Sequence, residues 1–92
     1  MTSETTAAFR QQLRALPKDV RALARLSYQR WLENPRHPSL RFKRIHVRDP
    51  IYSVRIGIHW RAICVVEGNA AIWFWIGSHA AYDALIKKRR QI

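Results

Sequence analysis

Among its 92 residues the chain holds one cysteine, three glycines and six acidic residues, and each scarcity excludes something. With Cys64 alone there is no internal disulfide and no cysteine-based zinc site. Its setting, "RAICVVEG", reads as a buried strand in which the thiol acts as a small hydrophobe. All three glycines lie in the second half, and no P-loop or GxGxxG cradle for phosphates can be built from them. GxSxG and HExxH are also absent. None of the four histidines sits four residues from another, and no carboxylate cluster accompanies them, so neither a metal nor any other cofactor is expected. No apolar run approaches the roughly 20 residues that span a bilayer. The start, "MTSETTAAFRQQL", has neither the basic nor the apolar segment of a signal peptide. Without repeats, low-complexity tracts or Gly/Ser linkers, residues 1–92 are expected to form one domain, cytoplasmic and without a membrane partner.

What the chain does have is positive charge. Lys and Arg total 17, for a net charge of +11, while 48% of residues are hydrophobic and four are Trp. One well-filled core is within reach, and general disorder is not expected. Arg36, Arg41, Lys43, Arg44, Arg48, Arg55 and Arg61 follow one another with Asp49 as the only acid among them. Guanidinium forks grip phosphate at two points. The natural counterpart is a polyanion, or an acidic protein that masks the same surface.

Periodicity predicts the elements. Ser3 can cap a helix to about Ala15 with Phe9, Leu13 and Leu16 on one side. Pro17 suits a first helical position, and a second helix runs to about Glu33, where Pro35 ends it. Its stripe is Val20, Ala24, Tyr28 and Trp31, broadened by Leu23 and Leu32. "LRFKRIHV" reads as an edge strand, and "IYSVRIG" alternates Tyr52, Val54 and Ile56 against Ser53 and Arg55. "HWRAICVVEG" and "AAIWFWIG" are apolar on both faces, as central strands are, and Gly68-Asn69 fits a tight hairpin turn between them. Trp73 and Trp75 fall on one face and Phe74 on the other, as core rather than a base-stacking platform. Ser78 can cap a last helix over 79–89 carrying Tyr82, Leu85 and Ile86, with "KKRR" at the negative end of its dipole. The expected fold is α+β: an N-terminal αα-hairpin packed on a three- to four-stranded antiparallel sheet, then a short C-terminal helix.

Chemistry could sit on the sheet face that the hairpin leaves open. A three-residue turn, Gly57 to His59, would pair Arg55 with Arg61 on one face, whereas a two-residue turn would put them on opposite faces. The first is favoured, because an arginine under the helices would lack partners. Two fixed guanidinium groups can stabilise charge building on a phosphate during RNA cleavage. An imidazole moves protons near neutral pH, and His79, at the exit of "WFWIG", is placed to do so. His37, in "RHPSL", is a candidate for the complementary role.

The series "FRQQLRALPKDVR", "NPRHPSLRFKRI", "YSVRIGIHWRAI" and "WFWIGSHAAYD" resembles the RelE/ParE superfamily of bacterial toxins, from about Phe9 to Leu85. The resemblance implies a type II toxin–antitoxin toxin. In the RelE branch such proteins are metal-independent endoribonucleases that cut mRNA, usually on the ribosome, inhibit translation, and are neutralised by a cognate antitoxin that wraps them. Carried over by position, Arg55 matches a basic position on the second sheet strand, and Arg61 the arginine at the scissile phosphate. His79 matches the His or Arg leaving the last strand, and "HPSL" at His37 is similar to the histidine segment of YafQ-like members. Arg41 and Lys43, with Arg44 and Arg48 in the same block, match the basic strand that tracks RNA phosphates. The family's N-terminal strand is expected to be missing, "MTSETTAAF" being short and polar, and Tyr82 is given no catalytic role. The ParE branch shares the fold but poisons DNA gyrase, and a non-catalytic member acting through protein binding is the further alternative. The charge leads to one expectation about the antitoxin. Its toxin-binding segment should be acidic or amphipathic and cover the Arg41–Arg61 surface, and a structure of the complex whose interface avoids that surface would refute masking.

Overall fold

Two hairpin turns set the frame of the sheet. The computed structural model describes residues 2–90, with side chains to Lys88. Its elements are β1 (Thr2–Thr5), α1 (Ala7–Arg14), α2 (Lys18–Glu33), β2 (Lys43–Arg44), β3 (Ile51–Ile56), β4 (Trp60–Glu67), β5 (Ala70–Ser78) and α3 (His79–Arg90), with a 3-10 turn over Pro38–Leu40. Gly68-Asn69 makes the two-residue β4–β5 connection, and Gly57-Ile58-His59 the three-residue β3–β4 connection. Gly57 and Gly68 both take positive φ, which an L side chain resists. The three-residue turn pairs Arg55 with Arg61, as the favoured sequence reading requires.

The sheet has five strands in the order β1-β5-β4-β3-β2, and every pairing is antiparallel except β1 with β5. The sequence reading missed β1. The segment is polar because it is an edge strand, held by backbone bonds rather than by a buried face: Thr2 N–H donates to the Asn69 carbonyl at 2.8 Å and Thr6 N–H to that of Trp73 at 3.0 Å. Ser3 therefore caps no helix. Its hydroxyl accepts from Trp73 Nε1, and Thr6 caps α1 by accepting from Phe9 N–H. At the other edge β2 keeps only two residues of the expected "LRFKRIHV" strand. Arg41 turns left-handed after Leu40, and the His46 ring accepts the Arg48 and Asp49 N–H groups, so the chain leaves the ladder on both sides.

Two clusters pack on opposite faces. On one, Phe9 of α1, Trp31 of α2 and Leu40 meet Val54, Ile56, Ala62, Cys64, Ala71, Trp73 and Ile76. Trp31 is central, edge-on to both Phe42 and Trp73. On the other, Tyr82, Leu85 and Ile86 of α3 cover Ile51, Ile63, Phe74 and Trp75. Phe74 and Trp75 share this face, contrary to the strict alternation expected. The register passes from Ile63↔Trp75 to Cys64↔Trp73 and skips Phe74, a β-bulge that turns Trp75 away from Trp73. The helical hairpin also differs from expectation. A cavity of about 580 Å3 lies between the two helices and the sheet, with Phe9, Leu13, Tyr28 and Trp31 in its lining. Val20, Ser27 and Trp31 are the buried residues of α2, whereas Leu23, Tyr28 and Leu32 are exposed.

Among the described residues no helix is long and apolar enough to cross a membrane. Of "KKRR", Lys87 and Lys88 are exposed and the last two side chains lie outside the described set. Cys64 is fully buried between Tyr52 and Trp73, and burial pushes its thiol from 9.0 up to about 12. Because the folded value is the higher, this group's stability contribution is whole below about pH 9 and is lost as pH rises toward 12. At pH 8 the native thiol should stay inert to an aromatic disulfide reagent and react only after unfolding in urea. Stoichiometric reaction of the folded protein would contradict this burial.

Candidate functional site

A row of cross-strand neighbours builds the site. Arg55 of β3 stands opposite Arg61 of β4, which stands opposite Gly77 of β5. Directly paired residues share a face, so both guanidinium groups lie on the α3 side of the sheet. Arg55 is partly exposed and its Nε donates to the Gly57 carbonyl at 2.9 Å, which ties it to the turn. Arg61 is only 7% exposed, and its Nε and Nη1 have no acceptor among the described residues. It is not beneath the hairpin, where the sequence reading feared it, but packs against α3. Its guanidinium carbon lies 5.2 Å from the centre of the Tyr82 ring. A cation–π contact offsets part of the desolvation of a buried charge but supplies no counter-ion.

Gly77 makes room in the row. A Cβ there would come within 2.8 Å of the Trp75 indole, so the indole lies over the strand where a side chain would otherwise stand. Trp75 in turn packs at a tilt on Tyr82, with ring centres 6.4 Å apart. Tyr82 is the hub that sequence reasoning passed over. Its hydroxyl donates to Ser53 Oγ at 3.2 Å, fixing α3 to β3. The signal was visible only in part: Tyr82 stands in the apolar stripe of α3, but nothing in the spacing says that an arginine from β4 will lie on it.

His79 opens α3 where β5 ends. Its N–H donates to the His59 carbonyl at 2.6 Å, which pins the helix start to the Gly57–His59 turn, and Ser78 Oγ accepts from Ala81 N–H as a cap. The imidazole is edge-on to Tyr82 with ring centres 6.1 Å apart, its Nδ1 lies 3.0 Å from Asp83 Oδ2, and the side chain is 45% exposed. Arg61 and His79 thus meet on one aromatic ring, and Arg55 is the next residue in the row. The first turn of α3 adds the positive end of its dipole.

The remaining candidates divide. Lys43 pairs with Ser53 and so shares the face of Arg55 and Arg61. Arg44 pairs with Tyr52 on the opposite face, and its guanidinium donates to the His46 and Arg48 carbonyls, organising its own loop. Arg48 is exposed in that loop, and Arg41 is exposed at the end of the 3-10 turn. His37 caps that turn, its Nδ1 accepting from Ser39 N–H and sharing a hydrogen bond with Ser39 Oγ. Leu40 anchors this segment in the cluster under the hairpin, on the sheet face away from Arg61, and no hydrogen bond joins His37 to the row. Among the described residues no group of three or more His, Cys, Asp or Glu could hold a metal.

This architecture is that of a small toxin class. The sequence profile of the ParE-like toxin domain matches residues 18–84, and the chain belongs to that family, within the RelE/ParE superfamily of type II toxin–antitoxin toxins. The fold is similar to RelE in the RelB–RelE antitoxin–toxin complex of Methanococcus jannaschii, with a TM-score of 0.70 at 19% identity over 88% of this chain and 96% of that one. It is also similar to YafQ of E. coli (TM-score 0.67, 15% identity, 87% and 94% covered) and to the isolated E. coli RelE toxin (0.63, 16%, 95% and 96%). No curated protein sequence matches.

Tyr82→Phe should keep the ring under Arg61 but strand the fully buried Ser53 hydroxyl, costing about 1–2 kcal/mol in urea denaturation. Tyr82→Ala also empties the ring's place and should cost about 3–5 kcal/mol. Equal losses for the two variants would show that the hydroxyl, not the ring, holds α3 down.

Proposed function

We propose that the protein is an RNA-cleaving toxin whose reaction is carried by Arg55, Arg61 and His79. The observation behind this reading is that the buried Arg61 guanidinium, with two nitrogens lacking acceptors, and an exposed imidazole both lie against the Tyr82 ring. A phosphodiester seated there would bring its non-bridging oxygens to Arg61 and Arg55. The ribose 2′-oxygen bonds to phosphorus as its proton passes to His79, and the P–O5′ bond breaks. The products are a 2′,3′-cyclic phosphate and a 5′-oxygen that takes a proton from water. Charge grows on the phosphate oxygens as the reaction proceeds, and guanidinium groups already fixed by the sheet stabilise it without reorganising. Lys43, on the same face, would hold a flanking phosphate, and Arg41 and Arg48 would act at longer range from the surface. His37 is left outside the reaction. A cognate antitoxin is the expected protein partner, as in the RelB–RelE complexes of similar fold, and a cytoplasmic site of action follows from an mRNA substrate.

The test is induction of the chain alone with primer extension on bulk mRNA. Growth arrest with new mRNA 5′ ends is expected. Arg61→Ala should lower cleavage about 10²–10³-fold and His79→Ala about 10²–10⁴-fold, both restoring growth. Arrest accompanied by DNA breaks and intact mRNA would replace this reading with gyrase poisoning. Full toxicity of both variants would remove the assigned site.

A further inference from the structure

One acidic side chain stands at the site, and the reaction outlined above does not use it. Asp83 follows His79 by four residues on α3, and the helix brings its Oδ2 to 3.0 Å from His79 Nδ1. Neighbours at i and i+4 lie one turn apart on one face, so the pairing is set by the helix itself. The helix start is equally fixed, by the His79 N–H bond to the His59 carbonyl and the Ser78 cap. We infer that Asp83 is a positioning residue: it holds the proton of His79 on Nδ1 and turns Nε2 outward as the atom that exchanges a proton with substrate. This rests on the ribonuclease reading for its consequence but not for its geometry.

An unassisted neutral imidazole favours the proton on Nε2. A carboxylate accepting from Nδ1 reverses that preference and locks the ring plane, because a hydrogen bond at one nitrogen decides the state of the other. The other titratable groups near this ring are Tyr82, edge-on to it with its hydroxyl donated to Ser53, Arg61 on the same tyrosine, and His59 on the turn. None of them can accept the Nδ1 proton as a carboxylate does. Asp83 is half exposed, so replacing it removes no core contact. The arrangement also explains why a lone histidine at a strand exit can serve as more than a surface residue. Its orientation is supplied from within α3, without a second histidine.

Two measurements test the inference. In 15N-histidine NMR at a pH where the ring is neutral, the His79 signals, assigned by their loss in His79→Asn, should show a protonated Nδ1 and a bare Nε2. Asp83→Ala should shift the proton to Nε2, and Asp83→Asn, which keeps an acceptor oxygen, should largely retain the wild-type pattern. A wild-type ring protonated on Nε2, or one unchanged in Asp83→Ala, overturns the inference whatever the activity. In RNA cleavage, Asp83→Ala should lower kcat about 10–100-fold, by analogy with groups that orient a histidine, with KM within about twofold. Asp83→Asn should recover most of that loss, and Asp83→Ala should add nothing in a His79→Ala background. If His79→Ala is inactive and Asp83→Ala is not slowed, the positioning role falls and the site stands. If the wild-type protein cleaves no RNA, the ribonuclease reading falls; if His79→Ala cleaves normally, the role of His79 in the reaction falls; in either case the spectra alone decide the proton's place.

Discussion

Arg61 is a charge placed inside the protein with an aromatic ring beneath it and no anion beside it, and the local structure is arranged around that placement. Burying a cation without a counter-ion is unfavourable by several kcal/mol. It persists here because the β4 ladder fixes its backbone on both sides, because Tyr82 presents the negative face of its ring, and because Gly77, opposite it, lets the Trp75 indole fold over the strand. Each support comes from a different element. A guanidinium held in this way is stiff, the property on which the proposed electrostatic stabilisation of a developing charge would depend.

The two faces of the sheet divide the work. The face under α1 and α2 holds the larger core, centred on Trp31, and supplies stability. The α3 face holds a smaller cluster, where Arg55 and Arg61 are paired across the strands and Arg61 and His79 each lie against Tyr82. The bulge at Phe74 links the two. By spending one residue it sends Trp73 into the first core and Trp75 into the second, where Trp75 braces Tyr82. Without it the two indoles would share a face, and the ring under Arg61 would lose a neighbour.

The positive charge is likewise not one surface. The run from Arg36 to Arg61 reads as a single basic block, but alternation splits it between the faces, and local folding takes part of it out of service. Lys43 stays with the site, whereas Arg44 is spent on the carbonyls of its own loop. Net charge therefore says that an anionic or acidic partner is favoured, and only the register says which cations can meet it together.

The sequence by itself determined the order of the helices and central strands, the Gly68-Asn69 turn, and the two long helices to within a residue or so; at Gly57 it favoured a three-residue turn, with Arg55 and Arg61 on one face, and left the two-residue alternative open for the register to decide. These rest on local rules: glycine at positive φ, proline at helix ends, period-two alternation and short-range capping. His79 at a strand-to-helix junction was legible for the same reason. Tertiary structure alone decided the rest. β1 is paired with a strand nearly 70 residues away through backbone groups, so its polar residues carry no trace of it. The bulge at Phe74 depends on how β5 must meet β4, and the burial of Arg61 over Tyr82 depends on where α3 lands. In each case the partner is distant in the chain, and a periodic pattern records which face a residue takes but not what it will meet there.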